Sequence, residues 1–239
     1  MPDKRTHRGQ HPQDNTLFSS EQLPGLRLAV RDLSWLLSRG YAVKSSLKLV
    51  GDRFTLKERQ RMAVMRCGCS DEDLHERSAR QVDAAVLQHQ PLLLDGYNII
   101  TTIETAMAGG VILKARDGSF RDIAGVHGTY RKVEETIPSL KLIGRTITKL
   151  NTSQCLWYLD RPVSNSGRLK IILLQLADEN NWDWDVNIVN NPDPILSDAH
   201  EIVATSDSII LNRCQQWFNL VGSVINDYIP DAFVVDLSG

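Results

Sequence analysis

From residue 91 onward, short apolar runs alternate with longer helical segments, and few folds accommodate that rhythm. The runs are LLLD (92–95), VILKAR (111–116), CLWYLD (155–160), DVNIVN (185–190), EIVATSD (201–207) and AFVVD (232–236). Between them the pattern predicts helices over 129–150, with Pro138 as a kink, over 167–180 and over 215–229. Such alternation predicts a mostly parallel sheet with helices on both faces, an α/β fold.

Residues 19–80 read differently. Leu26, Val30, Leu33 and Leu37 recur at helical spacing behind Ser19 or Ser20 as a cap, Pro24 fits a first turn, and Gly40 closes the helix. A short helix fits 43–50. Thr55 with Glu58 has capping-box spacing for a third, and Ser70 with Asp73 for a fourth. The expected organisation is a disordered tail over 1–18, a helical module over 19–85 and an α/β domain over 90–239. A helical module of that size buries too little surface to be very stable alone and is expected to dock on the α/β domain.

Charge divides the chain the same way. Residues 1–90 carry 15 Lys+Arg against 11 Asp+Glu, and residues 91–239 carry 12 against 18. Within 27–66 there are ten basic residues and three acidic ones, Asp32, Asp52 and Glu58. A basic front and an acidic back suggest two modules with different work.

Several classes fall away. The apolar runs, LKIILLQLA at 169–177 among them, fall well short of the roughly 20 residues of a membrane span. The first residues have basic character with no apolar segment behind them, unlike a secretory signal. Cys67, Cys69, Cys155 and Cys214 make no disulfide framework, so a reducing cytoplasm is the expected compartment. Cys67 and Cys69 lack a second ligand pair at zinc spacing, and a packing role is expected for them. Neither a Walker A loop nor G-x-G-x-x-G follows an early strand, and D-G-Y replaces the D-x-D of aspartyl-phosphate enzymes.

Three of the predicted strands end alike, at Asp95, Asp160 and Asp207. In an open parallel sheet, residues at the carboxyl ends of strands converge on one crevice. Crowded carboxylates raise each other's pKa, and a divalent cation with oxygen ligands, Mg²⁺ or Mn²⁺, is the usual neutraliser. Asn98 is placed to hold the Asp95 carboxylate or a bound water, and Glu104 and Asp193 are candidates for a fourth ligand. Each aspartate also has a plainer reading as a turn or cap residue. Ser164, Asn165, Ser166 and Gly167 precede a helix with Arg168 behind them, which suits a phosphate. Arg116, Arg121, Arg131 and Lys132, with His127, form a cluster suited either to a nucleic-acid backbone or to a solvated hairpin.

LLLDGYN, WYLDRPVSNSGR and VATSDSIIL resemble the acidic strands of PIN-like, NYN-type nuclease domains. Their order behind a basic helical module resembles an uncharacterised prokaryotic family with an N-terminal domain of unknown function, a match covering about 20–236. The resemblance implies a PIN-like, mostly parallel sheet flanked by helices and preceded by a small all-α module. It implies a metal-dependent ribonuclease with Asp95, Asp160 and Asp207 as ligands to Mg²⁺ or Mn²⁺, Glu104 or Asp193 as the fourth, and RNA as partner. The helix acid usual in PIN domains has no clear counterpart here. The alternatives are a non-catalytic RNA-binding protein on a degenerate PIN-like domain, or another Mg²⁺-dependent phosphate-ester hydrolase. No membrane partner is expected, and self-association is left open.

Overall fold

The computed structural model describes residues 8–123 and 130–239. Helices α1 (Asp14–Leu17), α2 (Leu23–Leu37), α3 (Val43–Arg53), α4 (Glu58–Cys67) and α5 (Asp71–Arg80) come first. Next come β1 (Leu92–Asp95), α6 (Gly96–Met107), β2 (Ile112–Lys114), β3 (Phe120–Asp122) and α7 (Thr136–Leu150). The remainder is β4 (Cys155–Asp160), α8 (Ser166–Asn180), β5 (Trp184–Val189), α9 (Pro192–Ser197), β6 (Ile202–Ala204), α10 (Ser208–Leu211), β7 (Gln216–Phe218), α11 (Leu220–Tyr228) and β8 (Val234–Asp236). A small all-α module thus precedes an α/β domain with a mostly parallel sheet flanked by helices.

The main sheet has the order β5-β4-β1-β6-β7, and every pairing in it is parallel. From central β1 the chain goes to β4 and β5 on one side, then returns to β6 and β7 on the other. That reversal beside β1 is a topological switch point, where ligands bind outside the carboxyl ends of the strands. Alternation along β1 divides its side chains between two cores. Leu92 and Leu94 pack with α6, α7, α8 and α11, whereas Leu93 packs with Leu196, Val203, Ile210, Leu211 and Trp217 on the opposite face. Burial on both faces explains why LLL carries no polar residue. Each fully buried leucine contributes roughly 1.5–3 kcal/mol.

A second sheet, β3-β2-β8, pairs β2 antiparallel with β3 and parallel with β8. Its apolar residues Val111, Leu113, Ala115, Val235 and Leu237 share one core with Leu26, Val30, Leu33, Val50 and Val64 of the helical module. The module therefore docks as its size demanded, against this small sheet. Cys67 and Cys69 are buried at the end of α4, next to the seam.

Some expectations need correction. Residues 8–18, expected within a tail, are folded against the protein. Asp14 is buried and ion-paired with Arg59, and Arg8 Nε lies 2.7 Å from Glu104. The helix expected from 129 begins at Thr136, which puts Pro138 in its first turn, where it breaks no hydrogen bond and makes no kink. The helix expected over 215–229 is divided, because Gln216–Phe218 extends the main sheet as β7 before α11 begins. At α4, Gln60 rather than Glu58 closes the cap, accepting from the Lys57 amide at 3.0 Å.

Candidate active site

Asp95 ends β1 and turns directly into α6. Gly96 makes the turn possible, since a Cβ there would lie 2.8 Å from the Tyr158 carbonyl and 2.5 Å from Leu159. The Asp95 side chain does not cap α6. It accepts a hydrogen bond from Thr205 Oγ1 at 2.7 Å, and that hydroxyl in turn accepts from the Asp207 amide at 3.0 Å. Asn98 Oδ1 accepts from the Ser206 amide at 3.0 Å and from Ser206 Oγ at 2.8 Å. Asn98 therefore staples the loop after β6, and of its two expected roles, holding Asp95 falls to another residue. Thr205 does that work. Asp207 caps α10 through the Ile209 amide at 2.7 Å, so its plainer reading is realised as well.

These bonds gather Asp95, Asp160, Asp193 and Asp207 around one pocket of about 250 Å³, with Tyr97, Asn98, Thr101, Thr102, Asp122 and Arg66 completing the lining. Burial, together with Asp207, Asp193 and Asp160, raises the Asp95 carboxyl to about 7, against the pull of the Thr205 hydrogen bond. Burial and then Asp193 raise Asp160, and burial and then Asp207 raise Asp193. Among the described residues, no three His, Cys, Asp or Glu side chains stand close enough as they are to hold a metal ion. The lining is nonetheless suited to a hard cation. It offers carboxylate, amide and hydroxyl oxygens with no imidazole or thiol, and mutual repulsion there is what a cation relieves.

The other predicted residues lie elsewhere. Glu104 is fully buried and faces away from the pocket lining, accepting from Tyr130 Oη at 2.6 Å and from Thr136 Oγ1, and ion-pairing with Arg8. Two turns into α6, it bonds to the neighbouring 130–136 segment and, unlike the four aspartates, does not line the acidic pocket. Ser166 is buried, and its hydroxyl donates to the carbonyls of Asp160 and Val163. Asn165 Nδ2 donates to the Tyr130 carbonyl at 2.9 Å. Two residues of the expected phosphate cradle, Asn165 and Ser166, are thus engaged within the fold. Ser164, Gly167 and Arg168 are exposed and do not line the acidic pocket.

Two of the four cations expected to meet nucleic acid hold the modules together instead. Arg121 is buried, 2.7 Å from Asp117, and donates to the Arg66 carbonyl at 2.6 Å. Arg116 donates to the Cys69 carbonyl at 3.0 Å and to Asp71 at 2.6 Å. Arg131 is exposed and Lys132 half-buried, and His127 lies outside the described residues. Much of the positive charge in 27–66 is internally matched too, by Arg53–Asp32, Arg59–Asp14, Arg61–Asp52 and Lys48–Asp52.

Sequence reasoning missed Asp122, Thr205 and Arg66. FRD ends a strand on an acid as LLLD does, so Asp122 carried a readable signal. Nothing local marks Arg66, which reaches the pocket from the helical module.

The fold and pocket together define an α/β protein with an acidic site at the carboxyl ends of a parallel sheet. The chain belongs to the family described as "Domain of unknown function (DUF5616)", whose model matches residues 84–223. Residues 25–80 match a second family, "Protein of unknown function (DUF434)". The chain is similar to "Uncharacterized protein MJ0935" of Methanocaldococcus jannaschii, 27% identical over 183 residues, covering 77% of this chain and 87% of that protein. No solved structure matches it.

Proposed function

We propose that the protein is a Mg²⁺- or Mn²⁺-dependent ribonuclease with a PIN-like, NYN-type site. One observation carries the reading: Asp95, Asp160, Asp193 and Asp207 come from the ends of different elements and line one pocket at the switch point. The likeness of DGYN, LDRPVSNSGR and ATSDS to NYN-type strands supports it. Asp95, Asp160, Asp207 and Asp193 would hold the cation, with Asn98 fixing the loop that carries Asp207. When bound, the cation would supply Lewis acidity toward a phosphate ester and its attacking water.

The chain's own part is set by charge. The carboxylates repel a phosphodiester until their charge is offset, so substrate entry is coupled to cation binding. Because Asp95 sits near pH 7, binding the cation there displaces a proton. Cation affinity therefore rises as pH rises through about 7.

The test is cleavage of single-stranded and structured RNA by wild type and Asp95→Asn in Mn²⁺. Wild type should cut and Asp95→Asn should not, with its fold intact by circular dichroism. Full activity in the variant would end the proposal. A wild type that hydrolyses small phosphate esters but leaves RNA intact would move the assignment to a different phosphate-ester hydrolase, and RNA binding without hydrolysis would make it a binding protein.

A further inference from the structure

We propose that Arg66, carried by the helical module, is the contact of the acidic pocket to the substrate phosphate, so that the two modules build one composite site. This rests on the ribonuclease reading above and adds to it a residue from outside the α/β domain.

Arg66 lies in the last turn of α4 and lines the same pocket as Asp95, Asp160, Asp193 and Asp207. It is the cation in that lining among the described residues. Its backbone is held from the other side of the seam. Arg121 Nη1 donates both to the Arg66 carbonyl at 2.6 Å and to Ser208 Oγ at 2.9 Å, and Ser208 directly follows Asp207. Arg121 and Arg77 both pair with buried Asp117, at 2.7 and 2.6 Å. Burial opposes the charge on Asp117, but the two guanidinium groups hold its carboxyl below the usual range. The end of α4, the β2–β3 turn and the start of α10 are thereby locked as one unit.

The Arg66 side chain is positioned but not consumed. Its Nη2 stands 3.4 Å from Asp122 Oδ1, longer than the roughly 2.7–2.9 Å of a strong charge-assisted bond. Its Nε is buried with no hydrogen-bond partner among the described residues. The arginines that serve the seam are drawn tight, as the Asp117 pairs are. With Nε buried and Nη2 only loosely held, the guanidinium end beside the carboxylates matches a phosphodiester oxygen once a cation has offset the acids. An acidic pocket without it would bind a cation but grip its anionic substrate weakly.

The experiment uses the full chain, with Arg66→Ala, Arg66→Met, which keeps the apolar stem, and Arg66→Lys. Each is compared with wild type for Mn²⁺ affinity by calorimetry, for KM and kcat on fluorescein-labelled single-stranded RNA, and for melting temperature. Loss of a charge-assisted phosphate contact should raise KM roughly 10- to 100-fold in the Ala and Met variants. Mn²⁺ affinity should stay the same or tighten, since a cation has been removed from the pocket. Arg66→Lys should recover part of KM, as a point charge without the fork. Should Ala unfold the seam, Met decides. Unchanged KM in a folded Ala or Met variant, with wild type active, overturns the composite site and leaves the ribonuclease reading standing. A wild type that neither binds Mn²⁺ nor cuts RNA overturns both.

Discussion

Asp95→Asn should stabilise the metal-free protein at pH 8, although it removes a native charge from a hydrogen-bonded position. In the folded chain the Asp95 carboxyl is raised from 3.8 to about 7, first by burial and then by the neighbouring aspartates. Between those values the unfolded chain has released a proton that the folded chain still binds. Stability therefore falls as pH rises from about 4 to 7 and stays low above it. At about 1.4 kcal/mol for each tenfold change in proton affinity, the penalty reaches an upper bound of about 4 kcal/mol. Asparagine cannot ionise, yet its Oδ1 can still accept the Thr205 hydroxyl, so the variant escapes the penalty without losing that bond. The measurement is urea denaturation of wild type and Asp95→Asn in chelator-treated buffer from pH 4 to pH 8. The curves should converge toward pH 4 and separate above it, with the variant ahead by a few kcal/mol. Adding Mn²⁺ at about 100 times its Kd should restore about 2.7 kcal/mol to wild type and much less to the variant. A variant no more stable than wild type at pH 8 without metal would refute the electrostatic reasoning, whatever the activity assays showed.

Other substitutions separate structural roles from chemical ones. Glu104→Ala leaves Arg8 and the Tyr130 and Thr136 hydroxyls without their buried partner, and should cost about 3–5 kcal/mol in denaturant titration. Its Mn²⁺ affinity should be unchanged, because Glu104 does not line the acidic pocket. Leu33→Ala empties a fully buried site in the core shared by helices and the second sheet, and should cost about 2–5 kcal/mol. In calorimetry it should lower a single transition, since the helices and the second sheet cover one core between them; two separate transitions would contradict the shared core. Gly96→Ala pushes a methyl against the Tyr158 carbonyl and should cost about 1–3 kcal/mol, read by thermal denaturation.

The legible features are those that a short stretch of chain dictates by itself. LLL, LWYL and IVA are apolar because each lies between neighbouring strands and under helices on both faces, so strand, burial and parallel sheet come together. The acids after them mark where each strand leaves the core, and this is why Asp95, Asp160 and Asp207 can be grouped from sequence alone. The hidden parts depend on distant partners. Three-residue strands such as FRD and QWF have too little alternation to stand out from a helix or a loop. Glu104 has the spacing of a solvent-facing helix residue, and it is buried by distant partners, Tyr130, Thr136 and, folded back from the N-terminal segment, Arg8. The basic character of 27–66 suggested a module with work of its own, but charge counted along a chain does not distinguish a free cation from one matched across a helix. Arg59, Arg61 and Arg53 turned out to be matched, and Arg121 became a clasp between modules. Arg66 shows the same limit from the other direction. Its chemistry depends on the end of α4 being carried to the mouth of a sheet more than two dozen residues further along, a relation that is a property of the docked core and not of any segment.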